Sequence, residues 1–299
     1  MQKIIKWSAL LLFAALCNAC GNGNPRTSGG NLPNNKNAAF QNIIVLLDLS
    51  NRIEQSGQID KDQNIIKEVL DVFQDNQRKF GFIASKDKLR IAIAPEPNVQ
   101  AVADDRLLID MSTTVIGAKD KAKGKPAFDK MRSEFETELA NLYERAATNP
   151  NTGADIYTFF CTDLPAKYLG EPEKKTKIII LTDGYLCFDR RYERKRPKHT
   201  YMEERHLEGQ RKAKDPEAYY KRYKLALTPC SRNLDSVEVM MIEIAPRFSG
   251  ESVNEFNIVS RYWTDWFEAM GITHNIYPQE QQLGAIKGFI KSFLEREEH

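Results

Sequence analysis

Several things are missing from this 299-residue sequence, and each absence narrows what the chain can do. Beyond residue 20 it has no glycine-rich phosphate loop, no nucleophile elbow and no Cys-x-x-Cys pair, the sequence marks of phosphate cradling, triad hydrolysis and dithiol chemistry. It has 4 histidines. His199 and His206 lie near Glu203 and Glu204, but not at the four-residue spacing that aims two imidazoles from one helix face at zinc. The formal net charge is +2, so no global field draws in a polyanion, and any electrostatic role must come from local clusters. The apolar run Trp7–Leu16 is too short to span a bilayer. Hydrophobic residues make up 41% and charged residues 28%, an ordinary soluble balance, and the length is ample for a sizeable core.

What is present begins with a leader. Lys3 and Lys6 precede the apolar run, and Leu16-Cys17-Asn18-Ala19-Cys20-Gly21 follows it. That order is a secretory signal, residues 1–19. A small residue directly before Cys20 resembles a bacterial lipobox, which makes Cys20 the lipidated (palmitate-bearing) first residue of a mature protein; a plain cleaved signal peptide is the competing reading. Residues 20–40 are rich in Gly, Asn, Pro and Ser and nearly free of apolar side chains, so they read as a flexible tether. The expected location is the bacterial cell envelope, with the protein held to a membrane by lipid rather than by a spanning helix.

From residue 41 onward the pattern is α/β. Ile43–Leu47 is an apolar run of strand length that ends in Asp48, Ser50, Asn51 and Arg52. Ile178–Leu181 repeats the arrangement and leads into Thr182-Asp183-Gly184. Further strands are predicted at 86–95, 107–111, 237–244 and 274–277. Helices are predicted from Asp60, over 128–147, from Ala154, over 256–270 and over 283–294. Strands alternating with helices imply a doubly wound, mostly parallel sheet with helices on both faces. The carboxyl ends of its central strands are where such sheets place ligands.

One stretch breaks the alternation. An insertion of about 188–225 is long, charged and interleaved with tyrosines, running from Arg190 and Arg191 through Lys198 to Tyr201 and Tyr223. It leaves the sheet beside Asp183 and is expected to overhang the strand ends, with 201–223 partly helical. Its acidic residues and the export signal argue for a protein partner, an anionic glycan or a lipid headgroup over nucleic acid, with plain solvated surface as the competing reading. Cys187 and Cys230 bracket the insertion and are the preferred disulfide pair; three buried thiols, with Cys161, are the alternative. Trp263 and Trp266 are read as packing a helix onto the sheet, with a binding face as the other reading.

With these elements placed, residues 42–295 resemble a von Willebrand factor type A (vWA) domain. The resemblance is carried by Asp48-Leu49-Ser50-Asn51-Arg52, by Gly153-Ala154-Asp155-Ile156 ahead of a helix, and by Thr182-Asp183-Gly184. It implies a metal-ion-dependent adhesion site, in which Asp48, Ser50 and Asp183 hold a divalent cation, Mg²⁺, that binds an acidic group on a protein partner. Oxygen ligands of this kind suit a hard cation. Two positions depart from the family pattern. Arg52 stands where a second serine is usual, and Ala154 where a threonine is, with Thr152 close by. A guanidinium competes with a metal for carboxylate charge. Either a cation is held by fewer protein ligands, or Arg52 pairs with Asp48 or Asp183 and no cofactor is needed. In a third arrangement Arg52, with Asn51, Thr152 and Asp155 around it, faces the partner. The leading expectation is a non-enzymatic, membrane-tethered binding module. A metal-dependent extracytoplasmic hydrolase and an accessory of an envelope DNA-transfer or secretion apparatus are the alternatives.

Overall fold

The computed structural model describes residues 40–295, apart from 83–84, 95–103, 115–123, 149–152, 170–173, 188–198, 246, 248–251 and 280. Cys20, Thr152 and the basic run from Arg190 to Lys198 lie outside the described residues. Among the described residues, six strands form one sheet: β1 (Phe40–Leu47), β2 (Lys88–Ile93), β3 (Leu108–Asp110), β4 (Lys174–Leu181), β5 (Val237–Ile244) and β6 (Thr273–Pro278). Their order is β3-β2-β1-β4-β5-β6. Every neighbouring pair is parallel except β2 with β3. Because a parallel neighbour needs a crossover, helices fall on both faces and bury both sides of the central strands. The doubly wound α/β sheet read from the sequence is the fold of this chain.

Side chains on successive strand residues point to opposite faces, and the apolar runs feed two cores. Ile44, Leu46, Ile178, Ile180, Val239 and Met241 face one core. Ile43, Val45, Leu47, Ile179, Leu181, Met240 and Ile242 face the other. The second core is covered by α1 (Gln58–Phe80), α2 (Gly124–Thr148) and α7 (Leu283–Leu294). The apolar stripe of α1, Ile65, Ile66, Val69, Leu70 and Phe73, is buried as its helical spacing predicts.

The first core is covered by α3 and α6 (Ser252–Ala269). In α3 a turn of α-helix, Ile156–Thr158, runs on into a π-helix, Phe159–Tyr168. Trp263 and Trp266 of α6 are both fully buried, so they pack the helix onto the sheet. Their indole N–H groups donate to the carbonyls of Gly184 (2.8 Å) and Thr228 (2.9 Å).

The described part of the insertion rejoins the loop after β4 at Met202, which exchanges backbone hydrogen bonds with Leu186 at 3.0 and 2.9 Å in an isolated bridge. It then forms two helices, α4 (Glu204–Arg211) and α5 (Pro216–Tyr223), within the span expected to be partly helical. Asp215 accepts from Ala218 N (2.9 Å) and Pro216 occupies the first turn, so a new helix starts there. Tyr220 donates to Asp265 (3.0 Å) and Tyr262 to Gln210 (3.1 Å), which docks the helix pair on α6.

The expected Cys187–Cys230 disulfide is corrected by the structure: Cys230 is bonded to Cys161 of α3, 69 residues earlier, with Cα atoms 5.1 Å apart. Bracketing the insertion does not bring Cys187 to Cys230. Cys187 is instead held in a short bridge to Ala154, with its sulfur 3.6 Å from the Tyr201 hydroxyl and from Glu203. Among the described residues, no helix is long and apolar enough to cross a membrane.

Candidate functional site

The strand order reverses at β1. From β1 the chain moves outward on one side to β2 and β3, then returns to the other side of β1 with β4, β5 and β6. Neighbouring loops at such a switch point part in opposite directions and leave a crevice beyond the carboxyl ends of the two strands. Asp48 follows β1 and Asp183 follows β4, so both aspartates predicted from the sequence arrive at this crevice.

Each aspartate is fixed by its own loop. Asp48 N donates to Leu181 O at 3.0 Å, continuing the β1–β4 ladder past the strand end. Asp48 Oδ1 accepts from Ser50 N (2.9 Å) and Oδ2 from the Thr182 hydroxyl (2.7 Å). Thr182 is thereby the cross-link between the two loops. Asp183 Oδ1 accepts from Tyr185 N at 3.2 Å. Its Oδ2 accepts from Arg247 twice, from Nε at 3.0 Å and Nη2 at 2.7 Å. The Arg247 guanidinium also lies over the Tyr185 ring, 4.3 Å from its centroid. Gly184 makes the turn between them at φ +94°, and a Cβ there would meet Ile244 and Val259 at 2.8 Å.

Arg52 takes neither aspartate's carboxylate. Its Nε donates to the backbone carbonyl of Asp48 (3.0 Å) and its Nη2 to Asp62 of α1 (2.8 Å). Asp62 also accepts from the Tyr143 hydroxyl (3.0 Å) and the Gln58 amide (2.9 Å). Beside this pair, Glu243 of β5 is buried next to Lys61 (2.9 Å) and accepts from Gln58 at 3.2 Å. Glu243 sits at φ +80°, within the irregular β5–β6 register between Met241 and Ile244. A non-glycine residue in that conformation is strained and is held there by its surroundings.

The charges respond to burial. Burial, and then the charge of Asp48, push the Asp183 carboxyl above its usual range, with Arg247 offsetting part of that shift. Burial also raises Glu243, against the pull of Lys61. For Arg52, burial alone would favour the neutral form, but Asp62 and Asp48 outweigh it and hold the guanidinium firmly charged. An open polar cleft of about 280 Å³ lies over the group, lined by Asn51, Arg52, Gln55, Asp183, Ala245, Arg247 and Gln279.

Asp155 is used differently from the sequence expectation of a site-shaping residue: its carboxylate caps α3, accepting from Thr158 N at 3.0 Å. Asp62, Glu243, Lys61 and Arg247 are site residues that sequence reasoning missed. Asp62 lies one helical turn before Ile66 on the buried stripe of α1, and Glu243 is an acid near the end of a central strand; both signals were readable. Arg247 carries no such signal.

A divalent cation needs carboxylate and hydroxyl oxygens free to turn toward it. Here the Asp183 carboxylate is already matched by the Arg247 guanidinium, whose fixed charge competes with a cation for it. As arranged, these residues do not fit a Mg²⁺ ion. Comparison of the chain with family models, with curated proteins and with solved structures finds no match.

Proposed function

We propose that this chain is a binding module of the von Willebrand factor A type, tethered to a bacterial envelope membrane through a lipid at Cys20 and engaging a protein partner through its strand-end loops. The observation that carries this reading is the convergence of Asp48 and Asp183 at the β1–β4 switch point, under a polar cleft open to solvent. A crevice at the carboxyl ends of parallel strands is where this architecture receives ligands. The rim is amide and guanidinium, from Asn51, Gln55, Gln279 and Arg247, which suits polar groups on a protein surface.

No nucleophile or general base is assigned in the cleft. Asp48 and Asp183 are held by donors, and Glu243 is sealed beneath. The reading is therefore recognition without turnover. It is tested by placing a photo-crosslinker at the exposed Asn51 in intact envelopes, with a control at the exposed Lys291 on α7. A discrete adduct is expected from Asn51 and not from Lys291, and it should disappear when Asp183→Asn is added. No adduct from Asn51, or the same adduct from both positions, overturns the reading.

A further inference from the structure

We propose that Arg247 is the resident cation of this site: its guanidinium neutralises Asp183 in the role that the vWA resemblance gives to a divalent metal, and the site works without one. The inference takes its location from the proposed binding surface but concerns only what charge occupies it.

Arg247 is built into its position. Two of its nitrogens converge on Asp183 Oδ2, and its flat face rests on Tyr185, whose hydroxyl in turn bonds Glu255. Arg247 N also donates to the Tyr185 hydroxyl at 3.3 Å, so the backbone that carries the guanidinium is pinned to the same ring. A planar fork held on a carboxylate and an aromatic face is an arginine-specific arrangement.

Arg52, the residue that breaks the family pattern in sequence, is not the replacement. It is spent on Asp62 and on a backbone carbonyl, with its side chain 2% exposed. Its effect is to fix the loop after β1 from below. Arg247 has the partial exposure, 31%, that lets it meet both Asp183 and the cleft.

Electrostatics give the test its sign. Asp48 and Asp183 are close enough for the charge of one to disfavour ionisation of the other. Withdrawing Arg247 leaves two carboxylates and the Thr182 hydroxyl together with no guanidinium on Asp183, which is the oxygen-rich, negatively charged setting a hard cation prefers.

The experiment counts free Mn²⁺ by electron paramagnetic resonance in the presence of the full-length protein. Wild type and Arg247→Lys, which keeps the charge, are expected to leave Mn²⁺ free. Arg247→Ala is expected to bind it at least about tenfold more tightly than wild type. Adding Asp183→Asn to Arg247→Ala should remove that binding and so locate it. Circular dichroism confirms that each variant is folded, which the partial exposure of Arg247 favours. Mn²⁺ binding by the wild type that Asp183→Asn abolishes would overturn the proposal, and so would an Arg247→Ala variant as inert as wild type. Crosslinking from Asn51 is read independently, so failure here leaves the binding-surface reading standing, and failure there leaves this one standing.

Discussion

Replacing Arg52 with methionine is expected to be the most damaging single change beneath the site. The guanidinium donates to Asp62 at 2.8 Å and to the Asp48 carbonyl at 3.0 Å, and the paired side chains are 2% and 0% exposed. In water such a pair would contribute at most about 1 kcal/mol, because solvent takes over when one partner leaves. Here no solvent reaches Asp62. Removing one member of a buried pair strands the other and typically costs roughly 3–5 kcal/mol. Asp62 keeps the Tyr143 hydroxyl and the Gln58 amide as donors, which places the loss near the lower end. A loss of about 3 kcal/mol lowers the melting temperature of a domain this size by roughly 6–12 °C.

The assay is urea unfolding of wild type, Arg52→Met, Asp62→Leu and the double variant, read as midpoint shifts at constant slope. The double variant carries no stranded charge, so it should be less destabilised than the sum of the singles by roughly 0.5–3 kcal/mol. If Arg52→Met costs under about 1 kcal/mol, the pair behaves like an exposed one and the reasoning is wrong. Strict additivity would refute it equally.

Four other outcomes are expected. Gly184→Ala places a methyl 2.8 Å from Ile244 and Val259 at a φ of +94°, and should destabilise by about 1–3 kcal/mol with a change in tryptophan emission, because Trp263 bonds the Gly184 carbonyl. Loss of the Cys161–Cys230 bond in a double serine variant should cost about 4 kcal/mol on chain-entropy grounds for a 69-residue separation; peptide mapping should link those two cysteines. The same mapping should leave Cys187 slow to alkylate in the native state, since burial pushes its thiol up. Glu243 has its folded carboxyl raised above the ordinary 4.5, so the native state holds that proton more tightly than the unfolded chain. Its contribution to stability is therefore lost as pH rises from about 4.5 toward the folded value, and Glu243→Gln should flatten that decline in urea midpoints measured from pH 4 to pH 7.

Much of the fold was legible because its signals are local. Runs such as Ile43–Leu47 and Val237–Ile244 need no partner to be recognised as strands, and α7 begins and ends at the residues its spacing predicts. Asp48 and Asp183 were legible for the same reason: each interrupts an apolar run at its end. The disulfide was not, because pairing depends on where α3 and the stretch after α5 meet in space, and separation along the chain says nothing about that. Arg52 was legible as a departure, and Asp62 as a misplaced acid, but that the two are paired was not. Asp62 had to be noticed as an acid on the buried face of α1, one turn from Ile66. Arg247 had no local mark at all, since its role exists only because the segment after β5 passes beside Tyr185 and Asp183.

The charge count explains why two arginines are needed and why they are not equivalent. Asp48, Asp62 and Asp183 face Arg52 and Arg247, three negative groups against two positive, while Glu243 and Lys61 balance each other alongside. The surplus negative charge lies with Asp48 and Asp183, where burial first and then the charge of Asp48 raise the Asp183 carboxyl. Arg52 acts only on the Asp48 side of it, because its guanidinium is bonded to Asp62 and to the Asp48 carbonyl and not to Asp183. Arg247 acts on the Asp183 side, because it approaches from the cleft side and remains partly exposed. The deeper arginine therefore sets the stability of the loop after β1, and the shallower one sets what the cleft shows to solvent. Substitutions at position 52 should accordingly be read out in unfolding, and substitutions at position 247 in what the cleft accepts.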